Sequence, residues 1–383
     1  MRSEVSDNTV PPWITVETLT PGAMSVASVG AAPRDFADIQ RVLQRQLAKM
    51  PAVYDTMTTA GIIEAVRAAC DGANNVDIAI ETRSGPYELR IRPVRGPGEL
   101  VPAVRLWLGP RGAPLPALRP AVGTVWDLET QTLQLPKAIT RVAEMADEEY
   151  VPRMSIAEAF RWAFAFDRHA EVLDLLYDPL PGAKLQVEIS LLLGSRRPAR
   201  WRITSRARTD GKAREVWSVV EDVTSGDVPS DSPTLEQVGL REAHRRAGTY
   251  LAVVRPERTS ISHWLTDPAP WIRWDYLFRP VDVFHPDDRA RLMGSTARLR
   301  TGEAAGITVR TLNYRGGYSP TSLLLYPYPG QANRLAIAQF VQIVDDVAQP
   351  ESGRDSRWPM NAPIGYDDQL RHCLTGSMCR NPA

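Results

Sequence analysis

Four arginines on one short stretch, Arg200, Arg202, Arg206 and Arg208, alternate with Trp201, Ile203, Ser205 and Ala207. Period-two spacing puts the guanidinium groups on one face of a strand and the mostly apolar residues on the other. Planar, permanently charged forks of this kind hold carboxylates or phosphates through paired hydrogen bonds. Arg196 and Arg197 extend the run. These arginines are docking-face candidates for an acidic partner, against the plainer reading of a solvated outer face. No aromatic residue interrupts the arginine side, which weakens any case for stacking RNA. His372, Cys373 and Cys379 bring three metal-ligating side chains together. A structural zinc site wants four at tighter spacing, so no metal is expected. Signature motifs for hydrolases, phosphate-binding loops, zinc proteases and kinases are missing. No catalytic residue is assigned, and the chain is expected not to be an enzyme.

The elements that must carry these groups can be read from periodicity. The chain has 383 residues, 43% hydrophobic and 23% charged, with zero formal net charge. That is the profile of a globular protein of two or three domains. A balanced charge argues against a general nucleic-acid binder, which needs a basic surface. Four lysines, at 49, 137, 184 and 212, stand among 45 basic residues, a bias that codon usage explains without any function. Three cysteines are too few for a disulfide framework. The first residues hold no apolar signal segment, and the longest apolar runs are far too short to span a membrane. A cytoplasmic location is expected.

Residues 1–33 read as a flexible N-terminal segment, with Trp13–Val16 as a short strand docking onto something later. Residues 34–50 and 58–70 show helical apolar spacing. Strand patterns follow at 75–82, 87–94 and 100–108, separated by Gly/Pro turns. Together, 34–110 look like helices plus three strands. A Pro-rich linker leads to 121–225, with a hairpin at 124–135, helices at 137–147, 155–165 and 168–177, and long strands at 184–193, 199–208 and 214–223. A connector helix is predicted over 234–247. Residues 248–348 repeat the pattern, with strands at 250–255 and 260–265, a helix at 286–300, and strands at 307–314, 321–328 and 335–344. Residues 349–383 read as a loosely ordered tail.

The repeat is the strongest signal. Asp167-Arg168-His169-Ala170 and His285-Pro286-Asp287-Asp288-Arg289 each precede three strand-like runs, which end on Val219–Thr224 and Gln342–Val347. The landmarks lie about 120 residues apart, a duplicated domain rather than a solenoid period. Both copies resemble PAS domains: two short strands, small helices, then a three-strand antiparallel meander. His285–Arg289 resembles the opening of that family's last helix before the meander, although the first copy lacks the proline. Pro286 suits a first helical position, and Asp287 and Asp288 complement a helix N-terminus. Gly123–Leu128 resembles the family's opening strand. The 34–110 segment would be a degenerate half-unit.

The resemblance implies an α+β protein of repeated PAS-like domains, each a five-stranded antiparallel sheet with helices on one face. It implies sensing or regulatory docking without catalysis, through another signalling protein or self-association. The alternatives are a small-molecule or lipid-binding protein using the cup of a sheet, and an enzyme. Trp126, Trp162, Trp201 and Trp217 in the first copy, and Trp264, Trp271 and Trp274 in the second, are the ligand-pocket candidates; aromatics in such places are most often plain core. In heme-binding PAS proteins a helix histidine ligates iron, and His169 lies near that region. Photoreactive flavin members need a cysteine in an Asn-Cys-Arg-Phe helix, which neither copy has. No cofactor is therefore expected.

Overall fold

The computed structural model describes residues 10–155, 159, 163–166, 168–193, 197–209, 214–224, 235–274, 283–329 and 334–343. The chain divides into two compact units, Met1–Ser232 and Pro233–Ala383. It is an α+β protein of three antiparallel sheets with few helices. Trp162 and the His372–Cys379 cluster lie outside the described residues.

The first unit begins with β1 (Ile14–Glu17), β2 (Ser25–Val29) and β3 (Ala32–Asp38). Helices α1 (Ile39–Leu47), α2 (Pro51–Tyr54) and α3 (Thr59–Gly72) follow, then the meander β4 (Val76–Thr82), β5 (Gly85–Val94) and β6 (Ala103–Pro110). They form one sheet in the order β3-β2-β1-β6-β5-β4. Ile14 and Val16 face α1 and α3, burying Val42, Leu43, Leu47, Ile62 and Val66 in one core. The expected helix over 34–50 starts later, at Ile39. Asp38 fixes that start, because its side chain accepts a 2.8 Å hydrogen bond from the Arg41 amide. Residues before it pair with β2 instead. Within the segment expected to be flexible, Ile14–Glu17, Ser25–Val29 and the start of β3 are thus sheet, and the half-unit gains its missing opening strands. Thr15 and Glu17 alternate with Ile14 and Val16, but four residues are too few for periodicity alone to mark a sheet.

The second sheet uses β7 (Ala121–Asp127), β8 (Thr132–Gln134), α4 (Ile139–Ala143), β9 (Arg153–Ser155), β10 (Ala163–Phe166), α5 (His169–Tyr177), β11 (Lys184–Leu192), β12 (Pro198–Arg208) and β13 (Glu215–Asp222). Its order is β10-β11-β12-β13-β7-β8-β9. The predicted meander falls within a residue or two of the observed strands. The predicted helix over 155–165 is bounded more tightly than expected, since Ser155 ends β9 and Ala163 begins β10; residue 159 is helical, and 156–158 and 160–162 lie outside the described residues. The run Ala163-Phe164-Ala165-Phe166 alternates with period two, and β10 pairs with the open edge of β11.

The second unit holds α6 (Leu235–Arg246), β14 (Thr249–Arg255), β15 (Ser260–Trp264), α7 (Arg289–Gly294), α8 (Thr296–Arg300), β16 (Ala305–Leu312), β17 (Tyr318–Pro327) and β18 (Ala336–Gln342). The order is β15-β14-β18-β17-β16. The helix expected over 286–300 is broken in two. The buried Ser295 sits at the break and donates a 2.6 Å hydrogen bond to the Leu292 carbonyl.

One order therefore recurs three times. Numbering only two opening strands and three meander strands in each sheet, the order is 2-1-5-4-3 throughout. The first sheet adds β3 at one edge, and the second adds β9 and β10 at its two edges.

Candidate functional site

In the first unit the arginine face of β12 meets the first sheet. Arg206 donates from Nε and Nη2 to Glu17 Oε1 at 3.0 and 2.7 Å. Glu17 is 1% exposed. Its carboxylate also accepts from the Ser25 hydroxyl and, at 3.0 Å, from the Leu19 amide. Arg202 is 2% exposed; its Nη2 donates to the Ala31 carbonyl at 2.8 Å and to Glu188 at 2.7 Å. Gln186 donates to the Ala27 carbonyl at 2.9 Å. Thr15 donates to Glu221 at 2.6 Å. Phe36 takes a left-handed backbone conformation, φ 50°, and its ring lies 4.6 Å from the Arg206 guanidinium and 4.9 Å from Lys184 Nζ.

The arginine stripe is therefore turned toward the chain's own first repeat, not toward solvent. Arg208 stacks over the Trp217 ring at 3.8 Å. Arg200 is half-buried near the strand's start. Around the charges lies a small apolar rim of Leu19, Val94, Ala103 and Val219, with Trp217 against it. Burial pushes the Arg105 guanidinium below its ordinary value, and nearby Glu221 opposes that shift. Sequence reasoning missed Glu17, Glu221, Gln186 and Phe36. The available signal was a carboxylate at an alternating position in a short apolar strand, which needs a partner once buried.

Each tryptophan has a definite place. Trp126 is buried against the helix side of the second sheet, and its Nε1 donates to the Leu176 carbonyl at 2.7 Å. Trp201 is buried on that same side, and among the described residues its Nε1 has no hydrogen-bond partner. Trp217 is on the opposite face: it pairs in register with Arg206, and its Nε1 donates to Glu215 at 2.6 Å. It belongs to the sheet-to-sheet seam rather than to a cup. His169 is the first residue of α5.

In the second unit the three tryptophans gather at one end of the sheet. Trp264 lies edge-on to Trp274 at 6.3 Å and tilted against Phe340 at 5.0 Å. Trp271 meets Tyr250 edge-on at 5.2 Å, and its Nε1 donates to Thr321 at 3.2 Å. Among the described residues the Trp264 Nε1 has no partner. Beneath them the strands carry Ala252, Ala336 and Ala338, all buried.

The His285–Arg289 motif acts as a clamp. His285 Nδ1 accepts from the Asp287 amide at 3.3 Å, capping the turn as its position predicts. Asp288 accepts from the Arg310 amide and from Arg310 Nε, both at 2.9 Å, tying the helix start to β16. The hydrogen bond from Arg310 holds the Asp288 carboxyl below its ordinary value. A depressed folded-state value means the carboxylate stabilises above its unfolded value and loses that contribution as pH falls through the folded one. Asp288→Asn is expected to lower stability by about 1–3 kcal/mol at neutral pH. The gap to wild type should close as pH drops below about 4. Urea midpoints across a pH series check this; a gap that stays constant down to acid pH would refute it.

With the geometry established, the chain can be set beside known proteins. Residues 12–117 match the family model described as Rv3651-like, N-terminal. That range brackets the first sheet from just before β1 to just past β6, and it includes the opening strands. A crystal structure of an uncharacterised protein from Mycobacterium tuberculosis superposes with a TM-score of 0.68 at 18% identity, covering 88% of this chain and 97% of that one. This chain shares its fold. An RNA-binding light-oxygen-voltage receptor matches at 14% identity over 58% of this chain and 95% of that one, with a TM-score of 0.23. A sensory box histidine kinase/response regulator from Burkholderia thailandensis E264 matches at 14% over 34% and 91%, with a TM-score of 0.22. No curated protein matches the sequence. Among the described residues no cluster of three or more His, Cys, Asp or Glu is placed to hold a metal, and no helix is long and apolar enough to cross a membrane.

Proposed function

We propose that this chain is a regulatory binding protein of three PAS-like repeats that works without catalysis and without a resident cofactor. The observation that carries the reading is the shared strand order, 2-1-5-4-3, in all three sheets. Each repeat has an opening strand pair, intervening helices and a closing meander, the outline that the sequence resemblance implies. In the first two repeats the sheets are joined through the buried Arg206–Glu17 ion pair and the hydrogen bonds of Arg202, Gln186 and Thr15 around it, which makes them a single platform. Signalling would come from ligand- or partner-biased repacking of a meander against its helices. The partner is another signalling protein or a second copy of this chain. Native mass spectrometry of protein purified from its own cells should find a stoichiometric complex. Turnover of a metabolite, abolished by one cup substitution, would overturn the non-catalytic reading.

One observation favours a second reading, a small-molecule or lipid carrier. Among the described residues the Trp264 Nε1 is buried without an acceptor amid Trp274 and Phe340, and a buried indole N–H normally finds one. An apolar ligand bearing a carbonyl or carboxylate would supply it. Here the expected result is a co-purifying small molecule in native mass spectra, lost in Trp264→Phe. Identical spectra with no bound species for both proteins would sink it.

A further inference from the structure

The seam between the first two sheets holds more positive charge than its own carboxylates match. Glu221 is 5% exposed there. Its carboxylate accepts from the Thr15 hydroxyl at 2.6 Å and from the Ser28 hydroxyl at 3.4 Å. Among the described residues no cation pairs with it, yet three arginines stand around it. Arg202 is opposite Glu221 in register across β12 and β13. Arg105 is opposite Thr15 across β6 and β1, and Thr15 is the residue that reaches Glu221. Arg119 lies two residues before Ala121, which is opposite Glu221 on β7. The ladder runs on past Ala121, because the Asp222 amide donates to the Pro120 carbonyl at 2.9 Å. Residues two apart along a strand share a face, so Arg119 stands on the seam face as well. Arg105 Nη1 donates to the Arg119 carbonyl, which draws these two residues together.

Each of the three guanidinium groups keeps one buried nitrogen with no hydrogen-bond partner among the described residues: Arg105 Nε, Arg119 Nη1 and Arg202 Nη1. Arg202 is 2% exposed as a whole. Buried donors on charged groups are costly to leave unmatched. The charge count shows the same shortfall. Arg105, Arg119 and Arg202 bring three positive charges. Glu221 and Glu188, which pairs with Arg202 at 2.7 Å, bring two negative ones. The adjoining charges cancel among themselves, Arg206 with Glu17 and Arg92 with Asp77. One monovalent anion closes the balance. The donors also define its shape. A carboxylate or phosphate is held by the paired fork of one guanidinium. Here the unmatched nitrogens sit singly on three side chains, an arrangement suited to a spherical acceptor.

We propose that the seam binds one halide ion, chloride, between Arg105, Arg119 and Arg202 beside Glu221. The ion would tie β6 and the segment before β7 to β12, so its occupancy tightens the join between the first two repeats. Ordered water satisfies hydrogen bonds in such places but leaves the surplus charge unmatched. The inference does not depend on what the cups hold.

Amide exchange on the full chain tests it, in a sodium chloride series with sodium gluconate holding ionic strength constant. Protection at β6 and β12 should rise by about tenfold for each tenfold increase in chloride above its dissociation constant, as one site on the folded state requires. Protection in the third sheet should stay level, which separates site binding from a general salt effect. Arg119→Gln removes one cation at a half-buried position and keeps the backbone carbonyl that Arg105 uses; it should flatten the dependence at β6 and β12. In crystals of the wild-type protein soaked in bromide, an anomalous peak should lie within hydrogen-bonding distance of Arg105 Nε, Arg119 Nη1 and Arg202 Nη1. Protection that ignores chloride overturns the proposal and leaves the three nitrogens to water. A dependence that Arg119→Gln retains, or that the third sheet shares, overturns it too. So does bromide found only elsewhere, an adventitious ion only.

Discussion

Arg206→Ala is expected to destabilise the first unit by about 3–5 kcal/mol, the cost of leaving a buried carboxylate without its cation. Glu17 is 1% exposed and has no route to water if the guanidinium is lost. The Leu19 amide and the Ser25 hydroxyl would still donate to it, but neither carries a positive charge. The substitution also removes the cation that lies against Phe36. Arg206→Lys should recover part of the loss, because an ammonium supplies charge but not the paired donation from Nε and Nη2. Arg208→Ala is the control. Arg208 stacks on Trp217 at the rim, and its loss should cost about 1 kcal/mol or less. Chemical denaturation of the three variants separates the cases. Equal losses for Arg206→Ala and Arg208→Ala would mean that the seam is not held by the buried pair. A uniform effect of salt on all three would say the same, since a buried pair is screened little.

That seam also shows what the sequence could and could not convey. The arginine alternation on β12 was legible, because period two is a local property. Its partner was not. Glu17 lies 189 positions away, and no local pattern pairs two residues across that distance. The same limit explains the first sheet. Its meander and helices were visible in 58–108, where periodicity runs unbroken. Its opening strands were not, because β1 is four residues long and β3 carries Phe36 at positive φ two residues before the helix cap Asp38. Tertiary pairing, not propensity, makes these segments strands.

The third repeat was read more fully, for a physical reason. Its clamp is local in chain and chemistry: His285 caps a turn two residues away, and Asp288 reaches Arg310 on the next strand but for a short helical stretch. Proline at a first helical position and carboxylates at a helix start are short-range signals. The tryptophans were harder to assign. Trp217 lies on the seam and Trp126 on the helix side, although both stand in apolar runs, since the face of a strand is fixed by register and a shift of one residue reverses it. Trp217 pairs with Arg206, so it shares the arginine face.

Gly123→Val is expected to separate the first two repeats while leaving each sheet folded. Gly123 lies on β7, opposite Val219 on β13. A Cβ placed there would stand 2.2 Å from Cγ of Pro102 and 3.0 Å from Cα of Gly96. Neither neighbour can yield easily: one is a closed ring, the other is backbone. The Gly123 amide also donates to the Arg95 carbonyl at 2.8 Å, so the strand edge is tied to the loop that it would strike. Relief requires the first sheet to move off the second, which breaks the Arg95 bond and loosens the contacts of Glu17 and Glu221. Overpacking of this kind costs about 1–3 kcal/mol, and Val exceeds Ala because its branches extend the clash. The expected phenotype is specific. Limited proteolysis should cut the Pro-rich segment between β6 and β7 faster in the variant, and amide exchange should rise at β1 and β12 together, with the cores behind them unchanged. Exchange that rises only within the second sheet would show a local strand defect instead. A double variant with Arg206→Ala should then lose less than the two losses added, since both act on one seam.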